Sequence, residues 1–528
     1  MTMSNNYSAY TLKSIGYCQL DEEALLRKFL SEGPDALRDL RGEYTLIIEN
    51  SDECFIITSP VGAINYFYTL QDEKFFHSDK VADILRESRL DWKWDWQALG
   101  DLCGLENLTD NATLYKDIRK VPAGCVLHFR DGRIDLKSSL YINSIKRQRS
   151  DPDAALRALN EEAAFWAGDT PYLSLSGGFD SRLILSSLMK QGIKPHLITA
   201  GSDNCSDVQV TRKIASALGL KHDVISITLQ ELMANSAAIA TLTNGTKTAW
   251  HWNTYIYPLK ANIAKSHTYF VGTLGEFARS YYFDRGCLGQ IADMFGEHSL
   301  LLFWKLRLNR HRTFYDNELE GLAPEFSAEL DPAGTENRAK RLTSLCHRRF
   351  LSGLARFYFE QRVPNFYANG IKLYQASSNW KSPYHSRKWI DAIWNLDNGW
   401  KLGSNWHRYA IRKNFPKLLD FTEENGFVPG KMLSKAPPLY WTPFMRRTPY
   451  VTYDLSATWY RDEKMQEFMR ENVGLVSDII DRKTATSIIE AHRSGIDRTR
   501  TIAFLLAMIH WMRVVKEIRI AGRREKVE

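Results

Sequence analysis

The sequence predicts an α/β protein in two parts. A β-rich domain covers residues 1–148. A doubly wound parallel sheet that passes into a helical C-terminal part covers residues 149–528. Three observations carry this. Strand-forming runs crowd the first third of the chain. From Tyr172 onward, strand-like and helix-like runs alternate, as a parallel sheet with crossover helices requires. At 528 residues the chain is also too long for a single core.

In the first part, "GEYTLIIEN" from Gly42, "ECFIITSP" from Glu53 and "INYFYTL" from Ile64 are β-branched and aromatic runs parted by turn residues. "GCVLHFRDGRIDL" from Gly124 reads as a hairpin turning on Asp131-Gly132. The charged, proline-bearing "KRQRSDPDAA" from Lys146 marks the boundary. In the second part, "YLSLS" from Tyr172 is a strand. "DSRLILSSLMKQ" from Asp180 is a helix that buries Leu183, Ile184, Leu188 and Met189 and stops at Gly192. "KPHLITAG" from Lys194 is the next strand, and "SDVQVTRKIASALG" from Ser206 is a helix closing on Gly219. "HDVISIT" from His222 and "HTYFVG" from His267 are the third and fourth strands. Beyond Gln290 the periodicity is mostly helical, with many aromatics.

Hydrophobic residues make up 44% and charged residues 25%, an ordinary globular balance. The net charge of +7 is mild for this length and does not call for nucleic acid. Cys18, Cys54, Cys103, Cys125, Cys205, Cys287 and Cys346 are scattered, with no C-x-x-C pair. That argues for a reducing compartment, and against a disulfide framework and a structural zinc site. "MTMSNNYSAY" has no apolar core for a signal peptide. "TIAFLLAMIHWM" from Thr501 falls short of the roughly 20 residues of a membrane span and reads as a buried helix. The expectation is a cytoplasmic protein with no membrane partner. The closing "RREKVE" reads as a solvated helix end.

The chemistry concentrates in "SGGFDS", Ser176 to Ser181, between the first strand and helix of the second part. In a doubly wound sheet, ligands bind beyond the carboxyl ends of the strands. Gly177 and Gly178 let backbone N–H groups come close to a phosphate, and the helix start adds its positive dipole end. Ser176 and Ser181 offer hydroxyl donors. Asp180 would repel phosphate unless it holds Mg²⁺. A tight glycine turn with Asp180 as a helix cap fits the same residues, and spacing alone does not decide between them.

Ser176-Gly177-Gly178-Phe179-Asp180-Ser181 resembles the SGGxDS pyrophosphate loop of the N-type ATP pyrophosphatases. This group includes asparagine, GMP and NAD synthetases and tRNA thiolases. "TLYKDIRKVPAGCVLHF" from Thr113 resembles the segment joining the two domains of asparagine synthetases. "LRGEYTLIIENSDECFIITSPVGAINYFYT" from Leu40 and "FFHSDKVADIL" from Phe75 resemble the second half of their Ntn-type glutaminase domain. "NWKSPYHSRKWIDAIWNL" from Asn379 and "NWHRYAIRKNFPKLL" from Asn405 resemble their later helical segments. The resemblance implies a degenerate class II glutamine amidotransferase-like domain followed by a synthetase domain. It implies ATP and Mg²⁺ as cofactors, with metal ligands Asp180 and Glu276. It places Leu175, Ala200 and Gly201 at the adenine and ribose and counts Gly272 among the cofactor-binding residues. It calls for a lysine over the oxyanionic states, for which Lys431 and Lys435 in "VPGKMLSKAPP" are candidates, Lys431 preferred for its shorter spacing. Ser206 and Asp207 are assigned to helix capping first and catalysis second.

Four departures redirect the reading. Active glutaminases of this type use a cysteine at the mature N-terminus, whereas this chain begins Met-Thr-Met-Ser and Cys18 lies inside "IGYCQL". The glutamine-binding motifs are also missing, so no glutaminase is expected. Thr273 stands where asparagine synthetases carry Glu and β-lactam synthetases carry Tyr. Glu276 stands where Asp is usual. The layout resembles the glutaminase-deficient β-lactam synthetases and lasso peptide cyclases. These activate a carboxylate as an acyl-adenylate and let an amine displace AMP.

The expected activity is therefore an AMP-forming carbon–nitrogen ligase, in ring closure or peptide biosynthesis. Ammonia-dependent, asparagine synthetase-like amidation of a small carboxylate is the alternative. Expected partners are a small-molecule or peptide carboxylate and an amine, and a partner protein that delivers a peptide stays an open expectation. The oligomeric state is open. An RNA-modifying thiolase lacks its paired cysteines here, since Cys205 stands alone. A non-catalytic descendant would not be expected to keep an intact pyrophosphate loop.

Overall fold

The computed structural model describes residues 10–89, 92–138, 141–146, 150–283, 287–347, 349–423, 428–429 and 456–524. Among its described residues the first part holds eight strands: β1 (Thr11–Cys18), β2 (Gly42–Glu49), β3 (Glu53–Thr58), β4 (Phe67–Gln71), β5 (Lys74–Ser78), β6 (Arg119–Lys120), β7 (Cys125–Arg130) and β8 (Arg133–Ser138). They form a five-stranded sheet, β1-β2-β3-β7-β8, and a three-stranded sheet, β5-β4-β6. All pairings in both are antiparallel.

Strand β2 is buried on both faces, which explains its unbroken apolar run. Tyr44, Leu46 and Ile48 pack with Leu25 and Phe29 of helix Glu22–Glu32, while Ile47 packs with Ile56, Leu127 and Tyr66. Asp131 (φ 50°) and Gly132 (φ 71°) turn the β7–β8 hairpin in left-handed backbone, as a two-residue turn of this twist requires. The sequence reading does not include β1. Its "TLKSIGYC" mixes polar residues with a glycine and weakens the strand signal. Gly16 (φ 102°) is needed there, because a Cβ would stand 2.2 Å from the Glu43 carbonyl oxygen across the pair.

The second part is built on β9 (Tyr172–Ser174), β10 (His196–Ala200), β11 (His222–Ile225), β12 (Thr268–Phe270) and β13 (Asn379–Lys381). All are parallel, in the order β11-β10-β9-β12-β13. Chain order runs outward in one direction through β10 and β11, then in the other through β12 and β13. The reversal lies between β9 and β12, the switch point where such sheets bind ligands. The strands are shorter than the sequence suggests. β9 yields to a turn after Leu175, whose N–H still bonds the Ile198 carbonyl at 2.9 Å. β13 falls in a segment read as helical, since three residues are too few to show a period.

Helix Phe179–Lys190 follows β9, with Gly178 as its N-cap, and helix Ser206–Leu218 follows β10 and ends on left-handed Gly219. The long C-terminal helix Thr499–Arg524 buries Ile502 to Ile509 in the core. Among the described residues, no helix is long and apolar enough to cross a membrane. The two parts share a core. Tyr17, Val61, Ala63 and Ile64 pack with residues of β9, β12 and β13. The Tyr17 hydroxyl donates to the Ser382 carbonyl at 3.3 Å and accepts from the Ser382 N–H at 3.2 Å.

Candidate active site

Two loops meet at the switch point. One runs from Ser176 to Ser181 after β9, the other from Gly272 to Glu276 after β12. Their contact depends on small residues. A Cβ on Gly272 would lie 3.2 Å from the Ser181 nitrogen, and one on Gly275 would lie 2.7 Å from the Asp180 Cβ and Oδ1. Leu274 between them sits in left-handed backbone at φ 74°, a strained conformation for leucine that tends to mark functional loops.

The first loop is organised from within. Ser181 Oγ accepts the Ser176 N–H at 3.0 Å and lies 3.0 Å from Ser176 Oγ, which accepts the Gly178 N–H at 3.2 Å. The Gly177 N–H donates to the Asp207 carboxylate. The capping expected of Ser206 and Asp207 gives way to Cys205, which is the N-cap without a side-chain cap hydrogen bond; Asp207 lies in the first turn and reaches across to the glycine turn. Arg182, buried, donates to the carbonyls of Gly177 (2.7 Å), Leu418 (3.1 Å), Phe421 (2.9 Å) and Thr422 (2.7 Å). It ties the glycine turn to the segment that leads toward residue 431.

Asp180 and Glu276 face a common space. Arg279 Nη2 lies 3.4 Å from Asp180 Oδ2 and 4.0 Å from Glu276 Oε1. His407 Nε2 lies 2.9 Å from Asp180 Oδ1 but is not aligned as a hydrogen bond. Burial opposes the charge on Asp180, yet Arg279 and His407 outweigh it and hold the carboxyl below its usual range. Glu276 moves the other way. Burial and the neighbouring Asp180 push its carboxyl up against the pull of Arg279 and Tyr367. It accepts hydrogen bonds from Tyr358 OH (3.0 Å) and Tyr367 OH (2.9 Å). Both tyrosines come from a π-helical segment, Tyr358–Tyr367. In an α-helix residues nine apart face opposite ways, whereas about two of the wider π turns bring them to one face. The aromatic stretch from Arg356 therefore divides, with Phe357 and Phe359 in the core and Tyr358 and Tyr367 on Glu276.

Two family models match the chain, a glutamine amidotransferase domain over residues 9–141 and an asparagine synthase over residues 167–271. The chain is asparagine synthetase-like. A carboxyethyl-arginine β-lactam synthase from Streptomyces clavuligerus is 24% identical to it over 226 residues, 40% of this chain and 41% of the relative. The chain thus spans about two-fifths of the length of that curated relative.

In this asparagine synthetase-like chain, Ser176, Gly177, Gly178, Asp180, Ser181, Gly272 and Glu276 come together at the switch point. Leu175, Ala200 and Gly201 lie at the carboxyl ends of β9 and β10. The Leu175 carbonyl accepts from Thr199 Oγ1 at 2.9 Å, and the Gly201 N–H donates to the Ile225 carbonyl at 2.9 Å. Thr273 Oγ1 is buried without a hydrogen-bond partner among the described residues. Lys431 and Lys435 lie outside the described residues. Sequence reasoning missed Arg182, Arg279, His407, Tyr358, Tyr367 and Tyr384, whose hydroxyl donates to the Asp180 carbonyl at 2.6 Å. For His407 and Tyr384 the only signal is that their segments, "NWHRYAI" and "NWKSPYH", resemble those of asparagine synthetases.

Proposed function

We propose that the chain is an ATP-dependent, AMP-forming ligase that adenylates a substrate carboxylate and joins it to an amine. One observation carries this reading. The glycine turn and a second, carboxylate-bearing loop converge at the switch point of a parallel sheet, beside a helix N-terminus. That arrangement suits a polyphosphate held through a divalent cation.

The residues present fit such a cation. Asp180 and Glu276 supply hard oxygen donors, and Asp180 Oδ1 is buried without an aligned hydrogen-bond donor. These two carboxylates would hold Mg²⁺, which would neutralise charge on the phosphates. The rest falls to the chain's own groups. The Gly177–Gly178 backbone and the Ser176 and Ser181 hydroxyls surround the pyrophosphate, and Arg279 adds a positive charge where negative charge develops on the α-phosphate. Tyr358 and Tyr367 fix the Glu276 carboxylate, and Arg182 holds the turn. A substrate carboxylate oxygen attacks the α-phosphorus, and pyrophosphate leaves. The amine nitrogen then attacks the acyl carbon, AMP leaves, and the amine gives up a proton. Lys431 is proposed to stabilise both oxyanionic states, with Lys435 as the alternative.

The amine is proposed to reside on the substrate, as in ring closure, and not to come from glutamine. Cys18 ends β1 with its thiol pushed up by burial, which suits packing better than nucleophilic attack. Amidation of a small carboxylate by ammonia is the second reading, favoured by the asparagine synthase match. ATP–pyrophosphate exchange across candidate carboxylates, with and without ammonia, tests both. Substrate-dependent formation of ADP in place of AMP would overturn them together.

A further inference from the structure

The first part of the chain holds a cluster that the proposed reaction does not use. Glu49 ends β2 and Cys54 lies in β3, and the two are direct cross-strand partners, so their side chains share a face. His77 comes from β5, in the other sheet. Cys54 Sγ lies 3.8 Å from His77 Nε2, and Glu49 Oε2 lies 3.4 Å from the same nitrogen. One ligand atom from each residue falls within 4.8 Å of the other two. With metal–ligand bonds of about 2.0–2.3 Å, a tetrahedral zinc ion spaces its ligands about 3.6 Å apart. The Cys54 and Glu49 atoms already stand near that spacing from His77 Nε2, and within 4.8 Å of each other. The Tyr66 hydroxyl lies 3.0 Å from His77 Nδ1. A proton on Nδ1, donated to that oxygen, leaves the Nε2 lone pair facing Cys54 and Glu49, the outer-shell support typical of metal-binding histidines.

We propose that Glu49, Cys54 and His77 form a zinc site that clips the two sheets of the N-terminal part together. Sulfur, imidazole and one carboxylate suit zinc better than magnesium or calcium. On binding, the Cys54 thiol releases its proton to solvent as the metal–sulfur bond forms. The cation, thiolate and carboxylate then sum to zero charge, which a half-buried pocket tolerates. Glu49, 43% exposed, leaves a fourth position on the solvent side for water. A thiol nucleophile is the competing use of these residues. Burial raises the Cys54 thiol and lowers His77, the opposite of what a thiolate–imidazolium pair needs. The sequence argues against zinc only because it contains no local cysteine motif. Here each ligand comes from a different strand.

The full chain, freed of any affinity tag and stripped with a chelator, is titrated with Co²⁺ and separately with Zn²⁺. The expected results are one equivalent of zinc retained per chain, a thiolate-to-cobalt charge-transfer band, and a higher melting temperature with metal. Release of one proton makes affinity rise about tenfold per pH unit while the thiol is protonated. Cys54→Ser abolishes the band. Glu49→Gln, a half-exposed change that leaves the fold intact, weakens binding at least about tenfold. Absence of the band in the unmutated chain, or its survival in Cys54→Ser, overturns the proposal.

Discussion

Arg279 Nη2 stands 3.4 Å from the Oδ2 of Asp180, and the same guanidinium lies 4.0 Å from Glu276. One arginine thus serves two carboxylates that would otherwise repel each other. Arg279→Gln should lower ATP–pyrophosphate exchange by on the order of a hundredfold. It should also raise the Asp180 carboxyl, which Arg279 helps to hold down. The acid limb of the exchange profile then moves to higher pH. An unmoved limb would mean that Arg279 acts only in packing.

Glu276 trades stability for chemistry. Its carboxyl is raised by burial and by Asp180, so its contribution to stability is present below the ordinary carboxylate range and is lost as pH rises through the raised value. At neutral pH without Mg²⁺, Glu276→Gln should stabilise the chain by about 1 kcal/mol in a urea melt. The same variant should lose exchange activity, because the amide holds a divalent cation poorly.

Among the described residues, Arg182 donates hydrogen bonds to the carbonyls of Gly177, Leu418, Phe421 and Thr422, on both sides of the site. Arg182→Met keeps most of the volume but strands those acceptors. The cost should be about 3–5 kcal/mol of stability by chemical denaturation. Exchange should fall further than the folded fraction explains. Equal losses would assign Arg182 to the fold alone.

Lys120 is buried against the Pro364 carbonyl and Asn365 Oδ1, and burial lowers its amine from about 10.5 to about 7. A depressed value means that stability grows as pH rises from about 7 toward the ordinary lysine value and is lost as pH falls through 7. The expected slope is at most about 1.4 kcal/mol per pH unit for one such group. Urea melts between pH 7 and 9 should show it on top of the slopes from Lys247, Lys372, Lys381 and Lys401, which burial also lowers, and Lys120→Met should reduce the total slope by the share of one group.

By itself the sequence determined what is local. Ser176–Ser181 reads as a strand-to-helix turn because glycines, hydroxyls and an aspartate lie within six residues, next to a period change. The Asp131-Gly132 hairpin and the parallel alternation after Tyr172 are legible for the same reason: they depend on backbone preference and periodicity. Only the tertiary structure decided what surrounds Asp180. Arg279, Tyr384 and His407 lie about a hundred to more than two hundred positions away, and a buried polar partner leaves no periodic trace. Tyr358 and Tyr367 share a face only because the chain winds as a π-helix there, which composition does not reveal. Glu49, Cys54 and His77 meet because two sheets stack, and stacking follows from burial of the whole apolar face, not from the spacing of the ligands.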